Sequence, residues 1–378
     1  MIYFDNAATT RPNGRAVERA LTYLNENYFN PSALYKAGVA LKGDLKAARE
    51  FLVSCIADKA DTTLVFTSCG TEADDQALFS FARRGNLVIT AGEHSAVYAT
   101  ANELKNRGIE VRIAPLGKDG CVDVSAILNM VDNKTSMVSV IHVNNEVGAI
   151  NDINAIAKAV KEKNPSVIFH IDGVQAFGKV PYTMGAAVDL YSISAHKIGG
   201  VKGLGGLFVR KKLYNNLRPY IYGGGQEDGK RSGTENVFSI RQFQYAAEDK
   251  FRTLKEDYQR IKEYRGRLWN ALDKNSFTCI SSEESSPYIL SVSVAGVRGE
   301  VLLHILDDKG VLVGKGSACS SNTKNRYSRV ILACGVTELL ADGVIRISFS
   351  NETTREEIEL GAKILNESAL ELKKRMNV

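Results

Sequence analysis

The chain has 378 residues, 44% of them hydrophobic and 24% charged, which is enough for a substantial core and two or three domain-sized units. Its net charge of +5 is a weak bias at this length, and no Lys/Arg-rich block is interleaved with aromatics, so direct nucleic-acid binding is not indicated. No uninterrupted apolar run reaches the ~18 residues of a membrane span. The start, Met1-Ile2-Tyr3-Phe4-Asp5-Asn6, has neither a basic region nor an apolar signal core, so a cytoplasmic protein is expected. The six cysteines (Cys55, Cys69, Cys121, Cys279, Cys319 and Cys334) are scattered without a CxxC or Cys/His cluster, so no metal site is expected.

Residues 1–14 read as irregular, with Pro12, Asn13 and Gly14 as breakers. Helical patterning runs from Arg15 to Asn27. After Asn30-Pro31, Ser32 is placed to cap a long helix reaching Ala57. Strands and helices then alternate. Strands are predicted at 63–67, 87–90, 111–114, 136–142, 167–171, 188–193 and 206–209. Helices are predicted at 71–83, 95–106, 124–131 and 153–163. Apolar runs flanked by helices are the pattern of an α/β protein whose mostly parallel sheet is covered on both faces. The last two strands leave no room for a helix between them, so one is expected to be antiparallel. A long charged helix is predicted over 236–273. Beyond it the order β, α, β, β, α over 289–373 reads as a second, small α/β domain.

In an open parallel sheet, ligands sit beyond the carboxyl ends of the strands. The residues that follow each strand are therefore informative. They are Ser68-Cys69-Gly70-Thr71-Glu72, Glu93-His94, Asn144-Asn145-Glu146, Asp172-Gly173-Val174-Gln175, and Ser194-Ala195-His196-Lys197. Gly70 and Thr71 at a helix start suit an anion such as phosphate, or serve as an ordinary cap. Asp172 is a buried carboxylate in need of a cation, or a turn residue before Gly173. His94 stacks on a planar ligand or transfers a proton, or is simply hydrogen-bonded in place, as His142 and His170 are expected to be. Lys197 either snorkels to water or is carried into a cleft by the strand before it and the glycines after it. A lysine able to form a Schiff base, a carboxylate for a pyridinium nitrogen and a phosphate cup are together what a pyridoxal phosphate site requires.

The sequence resembles the cysteine desulfurases of the NifS/IscS type, within the class V aminotransferase group of pyridoxal phosphate enzymes. The resemblance runs nearly end to end. It is carried by Tyr3 to Thr10, Phe29-Asn30-Pro31-Ser32, Thr67 to Ala73, Glu93 to Val97, Val143 to Gly148, His170 to Ala176, Ser194 to Lys197, Gly223 to Asn236 and Gly316 to Ser320. It implies fold type I, with a seven-stranded sheet in a large domain (15–255) and a small domain made of 1–14 and 256–378. It implies pyridoxal 5'-phosphate as cofactor, L-cysteine as substrate, and a homodimer with sites at the interface. It also implies a sulfur-acceptor protein, such as an iron–sulfur scaffold or a tRNA thiolation enzyme.

Residue roles follow from the same resemblance. Lys197 holds the cofactor, Asp172 pairs with its ring nitrogen, Gln175 reaches its phenolic oxygen and His94 stacks on the ring. Gly70, Thr71, Ser194 and His196 hold the phosphate, with Thr234 reaching in from the other subunit. Asn145 and Arg346 receive the substrate carboxylate; a surface arginine is the plainer reading of Arg346. Cys319 is the nucleophile that carries sulfur as a persulfide. Its surroundings, Lys315 to Asn325, are small and polar and read as a loop in which Lys315 and Lys324 favour the thiolate.

Three departures stand out. Asp75 replaces a usual Asn behind the phosphate cup. Gly199 and Val201 replace an aromatic or His and a Pro, which implies a looser loop after Lys197. Phe349-Ser350-Asn351 replaces Leu-Gly-Arg at the edge of the substrate site. Two other readings remain: a selenocysteine lyase or related aminotransferase, and a non-catalytic sulfur-trafficking scaffold.

Overall fold

The structure is a computed structural model that describes residues 1–315 and 326–376. The expected nucleophile Cys319 and the loop around it lie outside the described residues. In chain order the strands are β1 (Ile2–Phe4), β2 (Thr62–Thr67), β3 (Asn86–Thr90), β4 (Glu110–Ala114), β5 (Thr135–Ile141), β6 (Ile168–Asp172), β7 (Leu190–Ser194), β8 (Gly205–Arg210), β9 (Thr278–Cys279), β10 (Ile289–Ser293), β11 (Val311–Val313) and β12 (Val344–Ser348). Seven of them form one sheet in the order β2-β8-β7-β6-β5-β3-β4. The neighbours from β7 to β4 are parallel. β8 runs antiparallel to both β7 and β2, because the chain from Ser194 to Gly205 is too short for a helical crossover.

Side chains on successive residues of each strand point to opposite faces, and each face has its own core. Leu64, Val88, Val138, Phe169, Tyr191 and Phe208 pack on one side against Leu41, Leu45, Leu52 and Phe243. Val65, Leu87, Ile89, Met137, Leu190 and Leu207 pack on the other against Ala73, Ala77, Leu78, Val97 and Leu104. All five residues of β3 and of β7 are buried. This is why these strands read as continuous apolar runs rather than as alternating ones. A further core of Phe4, Leu268, Leu290, Val292, Ile345, Ile347 and Leu365 lies around the antiparallel β12-β10-β9 sheet and the parallel β1-β11 pair.

Several local expectations change. The N-terminal segment is not wholly irregular: Ile2 and Phe4 are buried and β1 pairs with β11. Three residues are too few to show a period. The helix expected from Ser32 spans Lys36–Ser54 instead. The Ser32 N–H is taken by the Asn30 side chain at 2.9 Å, which makes a turn there rather than a cap. The single helix expected over 236–273 is two, Val237–Arg252 and Leu254–Ala271. Thr253 breaks it, with φ −118° and ψ 18°, and its hydroxyl donates to the Asp257 carboxylate at 2.8 Å. The loop after Lys197 is not loose. Gln242 grips it at both ends, accepting from Val201 N and donating to Gly199 O, each at 2.9 Å.

Among the described residues, no helix is long and apolar enough to cross a membrane, and no group of His, Cys, Asp and Glu could hold a metal ion.

Candidate active site

A cavity of about 290 Å³ opens beyond the carboxyl ends of β2, β3, β5, β6 and β7. Its wall includes Gly70, Thr71, His94, Asn145, Asp172, Gln175, Ser194, His196, Lys197 and Arg346. Of the expected site residues, Thr234 is not on this wall and is exposed. It sits in the segment after Glu227, which is fixed in an unusual way. Glu227 and Asp228 both have positive φ, 51° and 53°, a backbone that costs about 1–3 kcal/mol per residue. A two-pronged pair from Arg49 to the Glu227 carboxylate, at 2.6 and 2.7 Å, and a bond from Phe66 N at 3.0 Å hold it there.

Each polar group is delivered by a strand end. Ser194 closes β7, and the single 3-10 turn Ala195–Lys197 follows it. The Lys197 amine donates to the carbonyls of Ala7 and Ala8, both at 2.7 Å. Asp172 closes β6; it is buried and accepts from Val174 N at 3.0 Å. Burial raises its carboxyl, while His94 and Lys197 oppose the rise. His94 caps the helix Ser95–Asn106, and its Nδ1 accepts from Ala96 N at 3.2 Å. Burial lowers its pKa and favours the neutral ring, in which, with Nδ1 accepting, the proton lies on Nε2. His196 is likewise pushed down, to about 4, by burial and then by Lys197, and meets Thr9 Oγ at 3.1 Å.

The helix Gly70–Phe81 starts at the cavity, and its first turn presents N–H groups that no residue of the helix can satisfy. Beside it, Ser194 Oγ is buried and has no hydrogen-bond partner among the described residues. A Cβ on Gly205 would come within 2.4 Å of the Cys69 backbone, so only glycine lets β8 pass beneath this turn. These features fit pyridoxal phosphate. The orphaned hydroxyl and the helix start, where Cys69 Sγ takes only the Glu72 N–H, suit its phosphate, the buried Asp172 carboxyl suits a cationic ring nitrogen, and Lys197 is within the same cavity.

Arg346 and Asn145 meet on this wall. Arg346 donates to the Asn145 carbonyl and to Asp5 Oδ1, each at 2.7 Å, and its side chain is 3% exposed. It is therefore not a surface arginine. Asn144 fixes this turn from behind, accepting from the N–H groups of Glu146 and Val147 and donating to Gly92 O. Asp75 turns away from the cup: its carboxylate accepts from the Thr100 hydroxyl. His142 and His170 are held by hydrogen bonds to Tyr191, and to Ser139 and Ser192.

Arg329 and Asp74 on the wall have no counterpart among the expected site residues, and Glu93, named there as following a strand, has no expected role. Arg329 donates to the carbonyls of Ala91 and Glu93 and lies 3.9 Å from the centre of the Tyr98 ring. It thus holds the turn that carries His94. Asp74 is fully buried, 3.5 Å from His170 Nε2. This is not an ion pair, because burial pushes His170 down to about 3, while burial and then Asp172 push Asp74 well up. Glu93 accepts from Thr90 Oγ and Ile141 N, and burial pushes it up to about 8. Its position after a strand end is the signal that names it in the sequence.

Glu93 sets a pH dependence of stability. Between about pH 4.5 and 8 the folded chain keeps this proton and the unfolded chain has lost it, so stability falls as pH rises through that window. His142 and His170, both near 3, act oppositely: they cost stability as pH drops below about 6.5. In Glu93→Gln, an amide replaces the protonated carboxyl atom for atom. In the cofactor-free protein it is expected to melt at least about 2 °C above wild type at pH 8.5 and nearly level with it at pH 4.5. Melting curves against pH check this; a constant difference would contradict it.

The family model for aminotransferase class V matches residues 2–360. A protein named cysteine desulfurase IscS from Clostridium botulinum (strain Hall) is 35% identical over 375 residues, covering 96% of this chain and 93% of its own. A solved NifS-like protein has a TM-score of 0.89 at 34% identity, covering 97% of this chain and 98% of its own. A structure described as SspA in complex with cysteine has a TM-score of 0.82 at 26% identity, covering 94% and 100%.

Proposed function

Because the chain belongs to the class V aminotransferase family, as a pyridoxal phosphate-dependent cysteine desulfurase, we propose that it converts L-cysteine to L-alanine and passes the sulfur, as a persulfide on Cys319, to an acceptor protein. The observation that carries the reading is the meeting of Lys197, Asp172 and the orphaned Ser194 hydroxyl in one cavity. Residues 15–255 form the cofactor-binding domain in this reading, and 1–14 with 256–378 the small domain.

Bound pyridoxal phosphate supplies an electron sink for the pair released when a Cα–H bond breaks. The chain's own groups do the rest. Gly70, Thr71, Ser194 and His196 hold the phosphate, and Thr234 joins them from the second subunit of a homodimer. Asp172 would hold the ring nitrogen in its cationic form, Gln175 would donate to the ring oxygen, and His94 would lie against the ring. Arg346, oriented by Asp5 and by the Asn145 carbonyl, receives the substrate carboxylate together with Asn145. Lys197, as the free amine during turnover, takes the Cα proton. The Cys319 thiolate attacks the substrate sulfur and the C–S bond breaks. The balance is one L-cysteine and one Cys319 thiol giving one L-alanine and one Cys319 persulfide. The sulfur then leaves for an acceptor used in iron–sulfur cluster or tRNA thiolation chemistry in the cytoplasm.

The test is the product. The cofactor-loaded protein is expected to form alanine from L-cysteine without added keto acid. Alanine formed only from L-selenocysteine would make it a selenocysteine lyase, and a requirement for keto acid would make it an aminotransferase. Failure to take up pyridoxal phosphate would favour the non-catalytic scaffold.

A further inference from the structure

Lys179 is a buried lysine that the reaction described above does not use. It is 4% exposed and, among the described residues, makes no ion pair. The charged groups around it are Lys197, Lys250 and Arg346, all cations. A lysine so placed is costly unless its polar tip has a task. Its one described side-chain partner is Gln175, four residues earlier in the turn after β6: Lys179 Nζ donates to Gln175 Oε1 at 2.9 Å. On the other side of the same amide, Gln175 Nε2 donates to the carbonyl of Ala7 at 2.8 Å.

Two partners of opposite kind therefore fix the amide. An amide nitrogen carries two N–H groups, and only one of them goes to Ala7. With Oε1 taken by Lys179, the group left to face the cavity is the second N–H. The Ala7 carbonyl also accepts from Lys197. Ala7 therefore serves two donors and fixes the amide from its nitrogen side only, while Lys179 fixes it from its oxygen side. We propose that Lys179 is a positioning residue that makes Gln175 present a donor, and not an acceptor, to the ring oxygen of the cofactor. This rests on the reading of Gln175 given above. Burial and the three neighbouring cations push the Lys179 amine well below its ordinary range. A neutral amine still donates, so the contact survives loss of the charge.

The consequence is spectroscopic. A hydrogen bond to the ring oxygen favours its anionic form, so losing it moves the pH midpoint of the bound cofactor's visible band upward. Lys179→Met keeps the length and removes the donor. It is expected to raise that midpoint by about half to one pH unit and to weaken cofactor binding roughly three- to tenfold. Gln175→Ala should give the same shift, and the double variant no more than either alone. Melting of the cofactor-free protein should fall little in Lys179→Met, since the one hydrogen bond lost to Gln175 is offset by replacing a buried amine that has no ion pair with an apolar chain. If Lys179→Met does not accumulate as folded protein, Lys179→Leu is read by the same comparison.

A wild-type midpoint in the Lys179 variant, beside a shifted one in Gln175→Ala, would overturn the proposal. So would additive shifts in the double variant, or a midpoint unmoved in both single variants. Absence of any visible band in the wild type would instead remove the cofactor reading on which it rests.

Discussion

Lys197→Ala is expected to lower L-cysteine turnover by roughly 10⁴-fold or more, because it removes both the cofactor's covalent anchor and the base at Cα. The side chain leaves β7 on a single turn, Ala195–Lys197, and lies in the cavity that also holds Asp172 and Ser194. Another base cannot readily replace it. Burial favours the neutral ring at both His94 and His196, but each ring already makes a hydrogen bond at Nδ1. The fold should survive the change, since the hydrogen bonds that Lys197 donates to the carbonyls of Ala7 and Ala8 are lost from a cavity wall and not from the apolar core. The variant should still bind pyridoxal phosphate through Ser194, His196 and the helix start at Gly70. It should show no protein-bound cofactor after borohydride reduction and denaturation, whereas wild type retains it. Turnover within tenfold of wild type would remove Lys197 from the centre of the reaction.

Asp172→Asn is expected to cost about 10²–10³-fold in turnover, the usual loss when one preorganised electrostatic partner is removed from a buried site. Asparagine has the same shape and can still accept from Val174 N, as Asp172 Oδ1 does at 3.0 Å. What it cannot do is hold a neighbouring nitrogen as a cation. Stability should move the other way. Asp172 is buried beside Asp74 and Glu93, and burial raises its carboxyl. Removing one acidic group from this trio should leave the melting temperature of the cofactor-free protein unchanged or higher at pH 8. A thermal loss of many degrees with turnover intact would make Asp172 a structural residue only.

Much of this arrangement is visible before any coordinates. A strand buried on both faces leaves an apolar run, and in a parallel sheet the polar residues just past its end share one edge. That rule alone assembles Gly70, His94, Asn145, Asp172 and Lys197. It fails where contacts are long-range and have no local period. Arg329 reaches the turn of His94 from the far end of the chain, and Asp5 orients Arg346 across nearly the whole sequence. The carbonyls of Ala7 and Ala8 are backbone groups with no signature at all. Lys179 lies one turn beyond Gln175 but looks like any other lysine until its burial is known. The fold misses have similar causes. β1 and β9 are too short to show alternation, and a threonine within a helical pattern, such as Thr253, gives no warning that it will break it. The seven strand segments follow from run lengths, and the short connection between the last two requires one of them to be antiparallel; in the structure it is β8.

The most direct measurement is a single turnover. Cofactor-loaded protein in excess is mixed with L-cysteine and quenched, and alanine and protein-bound sulfur are counted together. Wild type should give one alanine for each cysteine and one sulfur atom bound to Cys319, located by mass spectrometry of the peptide that contains it. Cys319→Ala should bind L-cysteine with the same change in visible absorbance and form neither product. Sustained alanine and sulfide from Cys319→Ala, or alanine from wild type with no sulfur on the protein, would contradict sulfur transfer through that thiol.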